Sequence, residues 1–248
     1  MRANSKDGAF NETMILTAIN HHHFKDLDPK WKRHLKRMFK HIEEDDYIIA
    51  HYYEYKDAKP DLEISVNNRK ILLSIKSGHA PTMHFEPLKT FFDFLRGLDV
   101  PERIIRIICF YHYGYSIKKR VSDHILSRDE IIKRFPSEIK EANEYFKPHP
   151  EIVREIIYRS IIRGRLKRDL IDYFYYGNSS KGFLLSTSDI IELIMKNPND
   201  SCDSIHFYQL TYISCARKED SLRRHYLRIN WPILCKWFYD EKFMKKYG

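Results

Sequence analysis

A stretch in the first third of the chain constrains the fold most, because it predicts two antiparallel strands joined by a tight turn. Leu62–Val66 alternates apolar and polar residues, as a strand with one buried face does. The pair Asn67-Asn68 is typical of a tight turn, and the strand pattern resumes over residues 70–75. Residues 47–55 are rich in aromatic and β-branched residues. We therefore predict a three-stranded β-meander.

Helical periodicity flanks this meander on both sides. Residues 9–20 repeat apolar residues at helical spacing, and Asp28-Pro29 is a favourable start for a second helix. After the meander, a helix is predicted from Glu86-Pro87 to about residue 98, and another after Pro101. Residues 109–115 are then predicted to be a strand. The pattern indicates an α/β protein, with a central mixed sheet flanked by helices.

The rest of the chain predicts a C-terminal α+β region. Amphipathic helices are expected within residues 127–168, where prolines interrupt the pattern. Strands are predicted at residues 173–176, 183–186, 205–213 and 226–231, and a helix at residues 232–243. We place a boundary at the polar stretch that follows residue 116, which gives domains 1–116 and 117–248.

Strand alternation places a possible reaction centre on the hairpin. Asp61 and Glu63 share one face of their strand, and Ser74 and Lys76 share one face of the next. If the strands pair, an acid near the start of one meets a lysine near the end of the other. A carboxylate beside a lysine can hold a divalent cation and activate a water, as phosphodiester hydrolysis requires. We expect Ser74 to fill space or hydrogen-bond this site, since no Ser-His-acid order accompanies it.

The order Pro60-Asp61 followed by Ser74-Ile75-Lys76 resembles the signature of the PD-(D/E)xK nuclease superfamily, the fold of many restriction endonucleases. That signature is a Pro-Asp followed by acid-x-Lys on the next strand, so Ser74 stands where the second acid is expected. Some restriction enzymes of the superfamily carry Ser-x-Lys and recruit a glutamate from the following helix. Glu86, at the start of the predicted helix, matches that arrangement, and Glu63 is the rival replacement. The resemblance covers roughly residues 8–115.

The resemblance implies a Mg²⁺-dependent hydrolase, with Mn²⁺ as a possible substitute. Asp61, Glu86 and the main-chain carbonyl of Ile75 would bind the metal. Lys76 would orient the attacking water and stabilise negative charge, and Glu12, on the first helix, would support a second metal or the lysine. Relatives with this arrangement imply a type II restriction endonuclease that acts on double-stranded DNA as a homodimer. An RNase, a repair or transposon-type nuclease, and an inactive nucleic-acid-binding module remain alternatives.

The charge balance also favours a polyanionic partner. The chain has 43 Lys and Arg against 34 Asp and Glu, a net charge of +9, of which +2 falls in residues 1–116 and +7 in residues 117–248. Two basic clusters are candidates for phosphate contact, and the second, in a predicted loop between strands, is our predicted DNA-binding surface. The first comprises Arg159, Arg163, Arg165, Lys167 and Arg168. The second comprises Arg217, Lys218, Arg223, Arg224 and Arg228.

Other features narrow the function class. The four cysteines lack the spacing of a zinc site, and HExxH, Walker-type and GxGxxG motifs are absent from the sequence. The run His21-His22-His23 suits a helix end better than a metal site, whereas His79 and His84 are weaker candidates for phosphate contact. No stretch is apolar enough for a leader or a membrane span. We therefore expect a cytoplasmic protein with no membrane partner, and the resemblance to restriction endonucleases implies a prokaryotic one.

Overall fold

The computed structural model describes residues 3–55, 58–78, 81–114, 125–165, 169–215 and 221–248. These residues form two compact units whose segments alternate along the chain. Unit 1 comprises segments 1–81, 158–192 and 233–248, and unit 2 comprises segments 82–157 and 193–232. Neither unit ends at residue 116. The predicted division of the chain into domains 1–116 and 117–248 stays a prediction.

The described residues form ten α-helices and ten strands. The helices are α1 (Ala3–Ile19), α2 (Pro29–Met38), α3 (Leu88–Arg96), α4 (Glu102–Tyr113), α5 (Arg128–Arg134), α6 (Pro136–Phe146), α7 (Pro150–Ile157), α8 (Thr187–Met195), α9 (Ile233–Trp237) and α10 (Glu241–Tyr247). The strands are β1 (His22–His23), β2 (Tyr47–Tyr52), β3 (Leu62–Val66), β4 (Arg69–Lys76), β5 (Thr82–Pro87), β6 (Tyr173–Gly177), β7 (Gly182–Ser186), β8 (His206–Phe207), β9 (Leu210–Ser214) and β10 (Tyr226–Asn230). Among the described helices, none combines the length and the apolar character needed to cross a bilayer.

Unit 1 contains a six-stranded mixed sheet in the order β1-β2-β3-β4-β6-β7. Strands β2, β3 and β4 pair antiparallel in succession, which confirms the predicted meander. Asn67 and Asn68 have φ values of 48° and 64°, the left-handed conformation that a tight hairpin turn requires. Strand β6 then pairs parallel to β4, with Lys76 opposite Tyr176.

The core of unit 1 lies between this sheet and the first two helices. Helix α2 begins as predicted, since the Asp28 side chain accepts a hydrogen bond from the backbone N–H of Lys30. The buried residues of the helices form one cluster with the inward residues of β2, β3 and β4. Its members include Ile15, Ile19, Trp31, Leu35, Ile48, Leu62, Ile64 and Leu73. This packing fixes which strand face remains for the polar residues.

Unit 2 contains a four-stranded antiparallel sheet in the order β5-β10-β9-β8. The stretch 205–213, predicted as one strand, forms the two strands β8 and β9, and Tyr208 between them has a φ of 55°. Helix α10 and the shorter α9 likewise replace the single helix predicted for residues 232–243.

The predicted strand at residues 109–115 is wrong for residues 109–113, which continue helix α4; residue 115 lies outside the described residues. The aromatic content of this run suits a strand, but the buried residues of α4 recur at helical spacing, as at Ile104, Ile108 and Tyr111. Gly114, at a φ of 79°, ends the helix in the left-handed conformation.

Candidate functional site

The Asp61 carboxylate is held at the point where β3 begins. Its backbone N–H donates to the carbonyl of Leu73 over 2.8 Å, which extends the β3–β4 ladder by one residue. Its Oδ2 accepts hydrogen bonds from Ser74 Oγ at 3.0 Å and from the backbone N–H of Ile75 at 2.6 Å. Among the described residues, Oδ1 has no hydrogen-bond partner. Asp61 is thus oriented through one oxygen and offers the other.

Ser74 is fully buried beside this carboxylate, at 0% exposure. Its hydroxyl donates to Asp61, which confirms the expectation that Ser74 hydrogen-bonds the site. A carboxylate at this position would instead meet that of Asp61 at hydrogen-bonding distance. The serine therefore replaces a negative ligand with a neutral donor.

Glu12 is brought to the same site by helix α1. The buried side chain of its neighbour Asn11 donates from Nδ2 to the carbonyl of Gly177, at the end of β6, over 2.9 Å. The pKa of Glu12 is raised to about 7, first by burial and then by the negative charge of Asp61, and Lys76 opposes both. The charges of Glu12, Asp61 and Lys76 are therefore close enough to interact, and the role of Glu12 in supporting a second metal or Lys76 stays a prediction.

Lys59 is a member of this site that the sequence analysis missed. Its Nζ donates to the carbonyl of Ser160 over 2.6 Å. The pKa of Lys59 is lowered to about 7, first by burial and then by the ammonium of Lys76, and Asp61 opposes them. The signal available in the sequence was its position directly before Pro60-Asp61. We call Glu12, Lys59, Asp61, Ser74 and Lys76 the Asp61 cluster.

Glu86 lies in unit 2 and not at the start of a helix, so that part of the prediction is wrong. It belongs to strand β5, opposite Leu227 of β10, and α3 begins two residues later, after the extended Pro87. Its carboxylate is 1% exposed and lies 3.0 Å from Nε2 of His84, which is also in β5. The role of Glu86 as a metal ligand stays a prediction, and His79 lies outside the described residues.

Glu63, the rival acid, is contacted by two basic side chains of its own sheet. Lys70 Nζ lies 2.6 Å from its Oε1, and His51 Nε2 lies 3.6 Å from the same atom. Lys70 is exposed, and its ammonium compensates the charge of Glu63. The charge of Asp61 acts on Glu12, which lies on helix α1 of the same unit.

The donor set of the Asp61 cluster suits Mg²⁺ or Mn²⁺. The described residues contain no group of three or more His, Cys, Asp and Glu side chains arranged around one point. Magnesium sites in phosphate chemistry commonly use only one or two carboxylates, with water and substrate oxygens completing the octahedron. Glu12 and Asp61 supply two such carboxylates; the pKa of Glu12 is raised first by burial and second by the negative charge of Asp61, and a cation would neutralise that charge. The predicted ligation by the Ile75 carbonyl stays a prediction.

The predicted DNA-binding residues differ in accessibility. Arg217 and Lys218 lie outside the described residues. Arg223, in the 3-10 turn Leu222–His225, and Arg228, on β10, are exposed. Arg224 is only 7% exposed, and its guanidinium lies 5.5 Å from the Tyr113 ring centre. Of the second basic cluster, Arg223 and Arg228 are thus the described residues that face solvent.

The first basic cluster also divides by burial. Arg159 is 5% exposed and lies in the π-helical turn Tyr158–Ile162. Arg163 is partly buried and Arg165 is exposed, whereas Lys167 and Arg168 lie outside the described residues.

Comparison with known proteins identifies the fold. No protein-family model and no curated protein matches the chain. A solved structure of the restriction endonuclease MspI in complex with its cognate DNA matches with a TM-score of 0.55 and 12% sequence identity, over 91% of this chain and 89% of that one. The chain therefore has a restriction-endonuclease-like α/β fold, as predicted.

Proposed function

We propose that this chain is a Mg²⁺-dependent endonuclease that hydrolyses phosphodiester bonds of double-stranded DNA, as type II restriction endonucleases do. The observation that carries the proposal is the Asp61 cluster, in which two carboxylates and two lysines interact at one end of paired strands. The restriction-endonuclease-like fold supports the same function, and the similar MspI structure is a DNA complex.

The cluster offers groups for each part of a hydrolytic reaction. Asp61 and Glu12 would hold the metal, while Ser74 and the Ile75 N–H keep the Asp61 carboxylate oriented. When bound, Mg²⁺ supplies Lewis-acid polarisation of the phosphate and lowers the pKa of a bound water. Lys76 would orient that water and stabilise the negative charge that develops on the phosphate.

Lys59 would add a second positive charge beside Lys76 in its protonated form, which prevails below about pH 7. The Lys59 ammonium is held by its hydrogen bond to the Ser160 carbonyl. Lys59 would therefore act on a bound phosphate through its charge and not through a direct contact. A second cation at the site offsets the two carboxylates and lowers the cost of bringing a polyanion close.

Glu86 is retained as the alternative second carboxylate. Its support is the Ser-x-Lys pattern of Ser74 and Lys76, whereas Glu12 is supported by its charge interaction with Asp61. We also propose that the protein acts as a homodimer, because a two-fold enzyme matches the two-fold symmetry of a palindromic duplex.

A substrate panel tests the proposed function. Purified protein is incubated with supercoiled plasmid, linear duplex, single-stranded DNA and structured RNA, each with EDTA, Mg²⁺ or Mn²⁺. We expect cleavage of the duplex substrates only with a divalent metal. Cleavage of RNA alone would show that the protein is an RNase. Failure to cleave any substrate would reject the proposed nuclease function.

A metal-free binding module is the second candidate, because a specific observation favours it. Ser74 provides a neutral donor where the superfamily signature has an acid, and this reduces the charge available to a metal. Binding of duplex DNA that is equal in EDTA and Mg²⁺, without cleavage, would support this candidate.

A further inference from the structure

The solvent-facing side of the unit 2 sheet carries an unusual set of side chains. Phe85 on β5, Arg228 on β10 and Ile213 on β9 lie directly opposite one another in register. Opposite residues of antiparallel strands share a face, so these three side chains form one row. Leu227 and Ile229, which flank Arg228 on β10, are fully buried on the other face. Phe85 remains 49% exposed.

A second aromatic ring extends this row. Tyr226 lies two residues before Arg228 on β10 and therefore shares its face. Its ring stacks on that of Phe85, with centroids 4.8 Å apart and planes 8° from parallel. The pair is held by two hydrogen-bonded strands, so it presents flat aromatic surface from a rigid support. Nucleobases stack on such surfaces with little dependence on their sequence.

The charge on this face is positive. On the described strands β5, β9 and β10, Arg228 is the one charged residue of the exposed face. The acidic residue of β5, Glu86, lies opposite Leu227 on the other face and is buried. Arg228 forms no ion pair with a described acidic residue, and the exposed Arg223 lies in the turn directly before β10. A flat aromatic surface beside an arginine that pairs with no described acid suits a base and its phosphate.

We propose that Phe85, Tyr226 and Arg228, the Phe85 platform, bind an unpaired nucleobase of DNA. The base stacks on the aromatic pair, and Arg228 contacts the neighbouring phosphate. This inference rests on the proposed function only in taking DNA as the partner, since the platform requires neither the metal nor cleavage. It adds a site for DNA that has locally lost base pairing.

Binding in EDTA tests the platform separately from cleavage. A single-stranded oligonucleotide that carries 2-aminopurine reports stacking through its fluorescence, and anisotropy of an end label reports affinity. Phe85→Leu keeps apolar bulk on the strand and removes the ring, so we expect affinity to fall roughly 5-fold to 150-fold, with loss of 2-aminopurine quenching. Phe85→Trp keeps a ring and should retain both signals.

Matched variants separate stacking from charge and from folding. Tyr239→Leu removes another exposed aromatic ring, 69% exposed in unit 1, and should bind like the wild type. Arg228→Gln should weaken binding and reduce its salt dependence while the remaining complex still quenches 2-aminopurine. Circular dichroism of each variant confirms that the fold is retained.

The platform is overturned if Phe85→Leu binds and quenches like Tyr239→Leu, or if the wild type binds no single-stranded DNA. A protein that stacks 2-aminopurine but cleaves nothing with Mg²⁺ supports the platform and rejects the proposed nuclease. A protein that cleaves duplex DNA but fails the stacking test rejects the platform alone.

Discussion

The Ser74 hydroxyl lies 3.0 Å from Asp61 Oδ2 and donates a hydrogen bond to it from a fully buried position. The Ile75 N–H donates to the same oxygen over 2.6 Å. Two adjacent residues of β4 thus orient the carboxylate of the residue directly before β3. The sequence position that would carry an acid in the superfamily signature therefore serves to orient the remaining acid.

Replacing Ser74 with aspartate should make the stability of unit 1 depend on metal. Without metal, Ser74→Asp places a second carboxylate against Asp61, and we expect the free energy of unfolding to fall by about 1–3 kcal/mol. Mg²⁺ should recover most of this loss, because a cation neutralises both groups. Denaturant unfolding in EDTA and in Mg²⁺ measures the effect.

Ser74→Ala is the matched control for that substitution. It removes the hydrogen bond without adding charge, so its stability should not respond to Mg²⁺ more than that of the wild type. Equal metal responses of Ser74→Asp and Ser74→Ala would contradict the placement of a cation beside Asp61.

The second carboxylate of the metal site can be identified by comparing three variants in which a glutamate is replaced by glutamine. Glu12→Gln should reduce Mg²⁺-dependent cleavage by tenfold or more, on the order of 1.4 kcal/mol of transition-state stabilisation. Glu63→Gln should have a small effect, because Glu63 is paired with Lys70. A large loss in Glu86→Gln with little change in Glu12→Gln would assign the ligand to β5 instead.

Asn11 should be required to position Glu12. Its side chain is buried and donates to the Gly177 carbonyl, so Asn11→Ala leaves that carbonyl without its partner. We expect a loss of about 1–3 kcal/mol in the free energy of unfolding, together with reduced cleavage. Thr13→Ala, which removes an exposed hydroxyl contact with Tyr52 from the same helix, is the control. Equal behaviour of the two variants would show that the Asn11 contact does not position α1.

His34 should make the fold sensitive to acid. It is buried against Trp31 and Tyr175, and burial, with the nearby charges of Lys30, Arg37 and Arg33, lowers its pKa from 6.5 to about 3. Because the unfolded chain binds the proton more readily, stability contributed by neutral His34 is complete above pH 6.5. It is lost as the pH falls from 6.5 toward 3.

The size of this effect can be measured with one variant. Near pH 5 the loss should be about 2 kcal/mol. His34→Leu, which cannot titrate, should show a smaller decrease in denaturant midpoint between pH 7.5 and pH 5 than the wild type. Identical decreases would show that other groups account for the acid sensitivity.

Local patterns predicted the elements that depend on local chemistry. The Asn67-Asn68 turn, the meander around it and the Asp28 cap of α2 each follow from a few adjacent residues. The error at α4 arose because aromatic residues occur in a buried helix as well as in a strand. Glu86 was misplaced because its strand continues directly into α3 at Pro87.

The site itself depends on contacts that short patterns do not contain. Asn11 and Gly177 are 166 positions apart, and Lys59 and Ser160 are 101 apart. The insertion of β6 beside β4 brings these residues together, and its parallel pairing requires a long crossover. The hairpin pattern was therefore enough to predict that Asp61 and Lys76 lie close together. The contact between Lys59 and Ser160 could not be predicted in this way.

The rate of plasmid cleavage by Asp61→Asn tests the central claim most directly. This variant keeps the size and hydrogen-bonding reach of the side chain but removes its charge, and Asp45→Asn, an exposed aspartate of the same unit, is the control. We predict Mg²⁺-dependent cleavage by the wild type and Asp45→Asn, and a loss of at least about a hundredfold in Asp61→Asn. Cleavage by Asp61→Asn at the wild-type rate would contradict a metal-dependent nuclease site at Asp61.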